Sequence, residues 1–361
     1  MINFNDYPAF FLGCNSERGF ISKFENAYDP TDGWRAFIIK GGPGTGKSTL
    51  MKKVALSLSK KGETVIISPC TGDPDSLDAV IAPGLKVIIM DGTAPHIVEG
   101  TYIGASERIV NLGAAFDNEM LYENREKIIG ISDKISETYA KVYRYTSILG
   151  AFKSDIHKTL LPSVRRDKIN AYCRNFTRAH LKKLPKKGSE DTGFLSAVTC
   201  KGEMYFDKTA QFLCKNIVLI CDSGGVAADI MLKNLKAAAL GGGYDVISCP
   251  DPLNPAARLE HLLIPEASTA FVSSPLAVSS GARVRKIHAK RFYDEKTAAK
   301  SKERVGFDTR AFKEIEKITV QAMIEAKSLH DDLEKQYTPA VDFAEVDKIA
   351  EKVVSDILKL C

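Results

Sequence analysis

The sequence predicts an α/β chain built as a tandem duplication, in which a three-layer unit with a mostly parallel sheet occurs twice and a helical appendage follows each copy. Three observations predict it. Residues 35 to 60 run from a short apolar strand through a glycine-rich loop into a partly apolar helix. The same strand, glycines and prolines return further along, Gly44 falling on Gly225 and Pro69 on Pro250, an offset of 181 in both cases. The chain has 361 residues, 44% hydrophobic and 26% charged, enough for two separate cores.

The elements follow in order. Arg35 to Lys40 is the apolar strand, and FIIKGGPGTGKSTLMKKV at 37–54 sets Gly41, Gly46, Lys47 and Ser48 at P-loop spacing, the mark of a P-loop NTPase-like unit. Glycines let such a loop turn several N–H groups into one concavity, and the following helix adds its positive end. Gly41, Gly42, Pro43, Gly44, Thr45, Gly46, Lys47, Ser48 and Thr49 are therefore expected to bind ATP, Lys47 reaching the β- and γ-phosphates and the Ser48 hydroxyl taking Mg²⁺. Leu50, Met51, Val54, Leu56 and Leu58 give the helix that follows a buried side. Glu63 to Ser68 reads as the next strand, and Asp73 to Asp78 as a turn and helix start with Asp75 or Ser76 at its N-cap.

Lys86 to Asp91 is a strand ending in a carboxylate, which makes Asp91 the second Mg²⁺ anchor, of Walker B type. Strands linked by helices imply right-handed parallel crossovers, with ligand at the strands' carboxyl ends. No glutamate follows Asp91, so His96 and Glu99 are the nearby candidates to orient an attacking water, beside the alternative that His96 simply packs. Asp73, Asp75 and Asp78 are further carboxylates that could approach the phosphates. From about Ala105 to Lys183 charged and apolar residues alternate at helical spacing. The run from Lys182 to Asp191 has linker composition, separating a first unit at 1–185 from a second at 189–361.

In the second unit the strand Val218 to Ile220 matches Phe37 to Ile39, and STAFVS at 268–273 matches KVIIMD. Ala227, Ala228 and Asp229 replace Gly46, Lys47 and Ser48, and Ser273 replaces Asp91. The neutralising lysine is lost, and Asp229 is expected to put negative charge where a phosphate would sit. One active and one degenerate nucleotide site per chain is the expectation. A second helical appendage runs from about Gly281 to Cys361, with Asp347-Lys348-Ile349 matching Asp167-Lys168-Ile169.

Composition narrows the class. No apolar run approaches the roughly 18 residues of a membrane span, and no secretory leader precedes the first strand, so a cytoplasmic protein without a membrane partner is expected. Eight scattered cysteines form no C-x-x-C pair, and a net charge of +5 permits a polyanionic partner without requiring one.

GGPGTGKST, PDSLD, DGTAPH and Asn111-Leu112-Gly113, with the whole unit repeated, resemble a family of bacterial two-repeat P-loop ATPase-like proteins (P-loop NTPases). The resemblance covers nearly the whole chain, and it is the repeated set that is specific, since the loop alone is shared by many families. It implies an ATP-binding protein of this architecture and supplies no substrate. Relatives can keep a Walker loop in both halves; this chain departs from that in its second. The expected function is a Mg-ATP-binding ATPase whose second half docks on its first and offers a basic cluster, Arg283, Arg285, Lys286, Lys290 and Arg291, as an arginine-finger surface. The alternatives are a small-molecule or nucleotide kinase, with Arg108 and Arg125 as acceptor-site hints, and a nucleic-acid-associated ATP switch using RVRKIHAKR at 283–291 and VRRDK at 164–168.

Overall fold

A computed structural model describes residues 4–273 and 283–361. The first half runs β1 (Gly13–Ser16), β2 (Gly19–Ser22), β3 (Arg35–Lys40), α1 (Lys47–Lys60), β4 (Ile66–Pro69), β5 (Leu77–Ala82), β6 (Val87–Asp91), β7 (Glu107–Asn111), α2 (Asn118–Glu123), α3 (Arg125–Leu160) and α4 (Arg166–His180). The second runs β8 (Glu190–Thr192), β9 (Ser196–Thr199), β10 (Gly202–Tyr205), α5 (Thr209–Leu213), β11 (Asn216–Cys221), α6 (Val226–Gly241), β12 (Val246–Pro250), β13 (Leu259–Ile264), β14 (Thr269–Ser273), β15 (Arg283–His288), α7 (Glu295–Lys300), α8 (Lys302–Tyr337) and α9 (Phe343–Leu358).

The molecule is a mixed α/β structure. Its first sheet has the order β4-β5-β6-β3-β7 and its second β15-β11-β14-β13-β12-β8, so five strands follow the same sequence of neighbours in each half. Ile39 pairs with Asp91 and Ile220 with Ser273, which puts the two strand-end residues at equivalent positions. In each sheet a single strand, β5 or β13, runs against the rest.

That reversed strand corrects one expectation. Asp73 to Asp78 does not start a helix. Asp73 accepts bonds from the Asp75 N–H (3.3 Å) and the Ser76 hydroxyl (2.9 Å), an Asx-type turn that sends the chain straight back as β5, a run rich in β-branched and apolar residues. Two further strands, β7 and β15, lie where helix was expected to begin; each ends its sheet's strand order, where half-buried or exposed charges such as Arg108, Arg285 and Lys286 are tolerated, and Glu107 is buried with the Tyr28 hydroxyl donating to it.

The layers differ too. Alternate residues of β3 face opposite ways: Phe37 and Ile39 join α1 in one core, whereas Ala36 and Ile38 meet Leu12, Phe24 and Val98. α-Helices therefore cover one face of the first sheet, and the N-terminal region with its 3-10 turn, together with the loop after β6, covers the other in place of an α-helical third layer.

The appendages depart furthest from a simple tandem arrangement. α3 and α8, each 36 residues long, pack antiparallel: Asp155 near the end of α3 pairs with Arg304 near the start of α8 at 2.6 Å, and Val142 and Leu149 share a cluster with Ala322 and Met323. Beyond this pair the chain crosses over. α4, from the first half, packs Ile169, Cys173 and Phe176 into the second half's core. α9, from the second half, packs Val346, Ala350, Val353 and Ile357 into the first half's core, against Leu50, Val54 and Leu58 of α1. Each core is completed by a helix of the other half. Counted from their helix starts, buried Ile169 stands against buried Val346, so Asp167 matches Ala344 and not Asp347. The linker at 182–191 thus divides the chain while the packing runs across it.

Two bridges hold the crossing, Phe116 with Val341 and Val164 with Tyr293, and a third joins Phe11 to Phe194 through mutual N–H to O bonds of 2.9 Å. The basic cluster lies on β15, the edge of the second sheet, and on the turn after it. Arg285 sits over the Tyr172 ring of α4 at 5.9 Å, and the Arg283 side chain falls outside the described residues. Among the described contacts none of this cluster reaches the loop Gly41–Thr49. Among the described residues no helix is long and apolar enough to cross a membrane.

If α9 completes the first core, Ile357→Ala should destabilise the protein by roughly 2–5 kcal/mol. Hydrogen exchange should quicken in β3 and α1, about 300 residues away in sequence, while β11 and α6 stay protected; the reverse pattern would contradict the exchange.

Candidate nucleotide site

The site is built where β3 ends. Its last residues pass into the loop, which turns at Gly44 (φ 71°) and Gly46 (φ 85°), both left-handed, before α1 starts at Lys47. Buried Thr45 ties the loop by donating to Gly42 O at 2.8 Å. The first backbone bond of the helix is Leu50 N–H to Gly46 O at 2.9 Å; among the described residues the N–H groups of residues 44 to 49 find no protein acceptor. That is the unfilled donor set of a helix N-terminus.

Lys47 and Asp91 are brought together. Lys47 Nζ donates to Gly41 O (2.9 Å) and Gly42 O (3.0 Å) and stands 3.6 Å from Asp91 Oδ2, both side chains largely buried. Asp91 ends β6 beside β3 and accepts from the Thr93 N–H (2.9 Å) and hydroxyl (2.6 Å), which fixes its carboxylate at the mouth of the loop. Ser48 Oγ accepts from Leu77 N–H at 2.9 Å, tying the first turn of α1 to β5. Thr49 is exposed.

His96 and Glu99 lie apart from this group. His96 is buried, its Nδ1 3.1 Å from Asp91 O and its Nε2 3.5 Å from Asp78 Oδ2, with the ring stacked on Phe24 at 4.4 Å. Burial works against its charged form, but the Asp78 and Asp91 carboxylates outweigh it and raise its pKa. Glu99 is 78% exposed and pairs with Lys40 at 3.3 Å. Neither touches Lys47. The other carboxylates hold structure: Asp75 binds Lys201 at 2.6 Å, and Asp73 faces Lys327 of α8 at 3.5 Å.

Sequence reasoning did not find the cover over the loop. The end of α8 lies against it, so closely that a Cβ on Gly42 would stand 2.8 Å from the Tyr337 ring, and one on Gly44 3.0 Å from the Thr338 hydroxyl. Tyr337 also packs near Phe116 at 5.8 Å between ring centres. No local pattern marks these two residues.

The matching loop of the second half differs in a way that corrects the expectation for Asp229. This aspartate does not enter the loop: its Oδ1 accepts from Leu259 N–H at 2.8 Å, the bond Ser48 makes with Leu77, and its Oδ2 meets Lys233 (2.9 Å) and His157 (3.5 Å). The carboxylate in the loop is that of Asp222, which accepts from Ala228 N–H (2.9 Å), Gly224 N–H (3.3 Å) and the Tyr293 hydroxyl (2.9 Å). An internal anion takes the donors that a phosphate would need. Asp222 was legible in the sequence, standing where the first half has Gly41. The chain matches no protein-family model, no curated protein and no solved structure.

Removing the Asp222 carboxylate (Asp222→Ala) leaves those donors unanswered and should cost roughly 1–3 kcal/mol in urea denaturation. His96 gives a pH test. Its pKa is raised by folding, so its contribution is complete below the unfolded value of 6.5 and fades as the pH climbs through the folded value. The stability gap between the wild type and His96→Asn should be wider at about pH 5.5 than at about pH 9; an unchanged gap would remove the ion pair with Asp78 as its cause.

Proposed function

We propose that the chain is a Mg-ATP-dependent P-loop NTPase, an internally duplicated P-loop unit that hydrolyses ATP at one site, in its first half. The observation that carries this reading is the meeting of Lys47 with Asp91 at 3.6 Å, beside a loop whose N–H groups at residues 44 to 49 meet no acceptor among the described residues. The residues fit the ligand. Lys47 would exchange its bonds to Gly41 O and Gly42 O for phosphate oxygens, and Ser48 and Asp91 would hold Mg²⁺, which typically takes one or two protein ligands and completes its shell with phosphate and water. Bound there, the metal would neutralise charge on the transferred phosphoryl group. The second half would bind no nucleotide, because Asp222 already fills its loop.

Hydrolysis is preferred to transfer because the acceptor-site arginines are otherwise engaged, Arg108 on Asp356 at 2.7 Å and Arg125 over the Tyr122 ring at 4.5 Å. With His96 buried and Glu99 turned to Lys40, the water-orienting group is expected from elsewhere, and the nearest foreign chain is the end of α8 with Tyr337 and Thr338. Turnover in the isolated protein should be slow.

Calorimetry should give one Mg-ATP per chain, and Lys47→Ala should abolish binding while leaving the fold intact by circular dichroism. Unchanged affinity in that variant, or two nucleotides per chain, would overturn the reading. ATP turnover with and without phosphate acceptors and nucleic acid separates hydrolysis from transfer and from a nucleic-acid-stimulated switch.

A further inference from the structure

The second half has a half-open cavity of about 210 Å³ beside its degenerate loop, between the amino end of β13, the carboxyl end of β14, β10, and the paired helices α3 and α8. Its size falls below the roughly 300–1,000 Å³ of pockets for drug-sized ligands, which points to a small metabolite. The wall is strongly polar. Lys153 of α3 is already spent, its Nζ donating to both oxygens of Asp251 at 3.1 and 3.3 Å. Glu260 is likewise spent, accepting from the Ser196 hydroxyl at 2.5 Å and lying 3.2 Å from His261; these partners and Lys153 outweigh burial and hold its carboxyl well below the usual range.

Two further lining groups remain, and one of them has an unpartnered nitrogen. Arg258, only 10% exposed, has a buried Nη2 with no hydrogen-bond acceptor among the described residues; its nearest carboxylate oxygen, on Asp251, is 3.8 Å away. A guanidinium left so is costly unless a ligand completes it. Glu203 on β10 lines the same cavity; burial outweighs the charge of Lys153 and the hydrogen bond from the Tyr205 hydroxyl and pushes its pKa up, so a ligand cation beside it would supply counter-charge that these partners do not. Phosphate is disfavoured by Asp222, whose carboxylate holds the loop's own donors.

We propose that this cavity binds a small zwitterion of the α-amino-acid class, its carboxylate on Arg258 and its ammonium on Glu203. Arginine supplies planar, charge-assisted recognition of a carboxylate, and Glu203 with the neighbouring Tyr205 offers acceptors to an ammonium. The site is independent of the nucleotide reading and stands even if Lys47 binds nothing.

The test is calorimetry and thermal melting of the full chain with the twenty α-amino acids, and with acetate, methylamine and inorganic phosphate as controls. At least one amino acid should bind saturably and raise the melting temperature, with the controls much weaker. Arg258→Met should weaken it by about ten- to a hundred-fold, Arg258→Lys by less, and Glu203→Gln should weaken the amino acid but not its deaminated acid. Lys47→Ala should bind as the wild type does. If Arg258→Met fails to fold, Glu203→Gln still decides. No binding by any amino acid, equal binding of phosphate, or unchanged affinity in Glu203→Gln would overturn the proposal.

Discussion

The structure depends on the reciprocal crossing of the chain at Phe116–Val341 and Val164–Tyr293. There each half passes its last helix to the other, and neither core is complete without it. The aspartates that cap α2 and α7, Asp117 and Asp294, sit directly beside these crossings, with Asp117 N–H on Ala340 O at 2.8 Å and Asp294 N–H on Ser163 O at 2.7 Å. The long helices α3 and α8 are the arms that make the crossing possible. Their antiparallel packing fixes the halves face to face, so that the end of each arm rests on the other half's loop: Tyr337 against Gly42, Leu160 against Gly224.

Similar backbones then carry different electrostatics. In the first half a lysine is held in the loop on backbone carbonyls, facing a carboxylate across the mouth, a polarised arrangement with bonds it can give up. In the second half the carboxylate is inside, bonded to backbone donors and a tyrosine hydroxyl, and the arrangement satisfies itself. Asp229 and Ser48 show how a changed residue keeps a structural duty, each tying the first turn of its helix to the reversed strand.

Much of this was legible in the sequence. The glycine turn that opens α1 and the strand that ends at Asp91 were legible because each is set by spacing within a few residues, and the structure brings Lys47 to Asp91 across them. The repeated order of strands followed from aligned glycines and prolines. β5 was misread because a turn rich in Asp, Pro and Ser looks the same whether a helix or a strand follows it, and β7 because an edge strand need not alternate. For His96 the sequence left packing open as an alternative to a water-orienting role; its burial beneath Asp91 involves Phe24, seventy-two residues earlier (96 minus 24).

What stays beyond sequence reading is partner choice. Local order fixes φ, the glycine turn and which face of a helix is apolar, because these are settled within a turn or two of chain. It does not say which core receives that face. α4 and α9 both carry an apolar stripe at corresponding helical positions, Ile169, Cys173 and Phe176 on one and Val346, Ala350 and Val353 on the other, and the spacing alone does not say which sheet receives it. The geometry of the α3–α8 arms decides the matter, and with it which residues cover the loop at Gly42 and which carboxylates gather around Arg258. Those outcomes follow from contacts between residues far apart in the chain, whose energies appear only once the two halves have closed on each other.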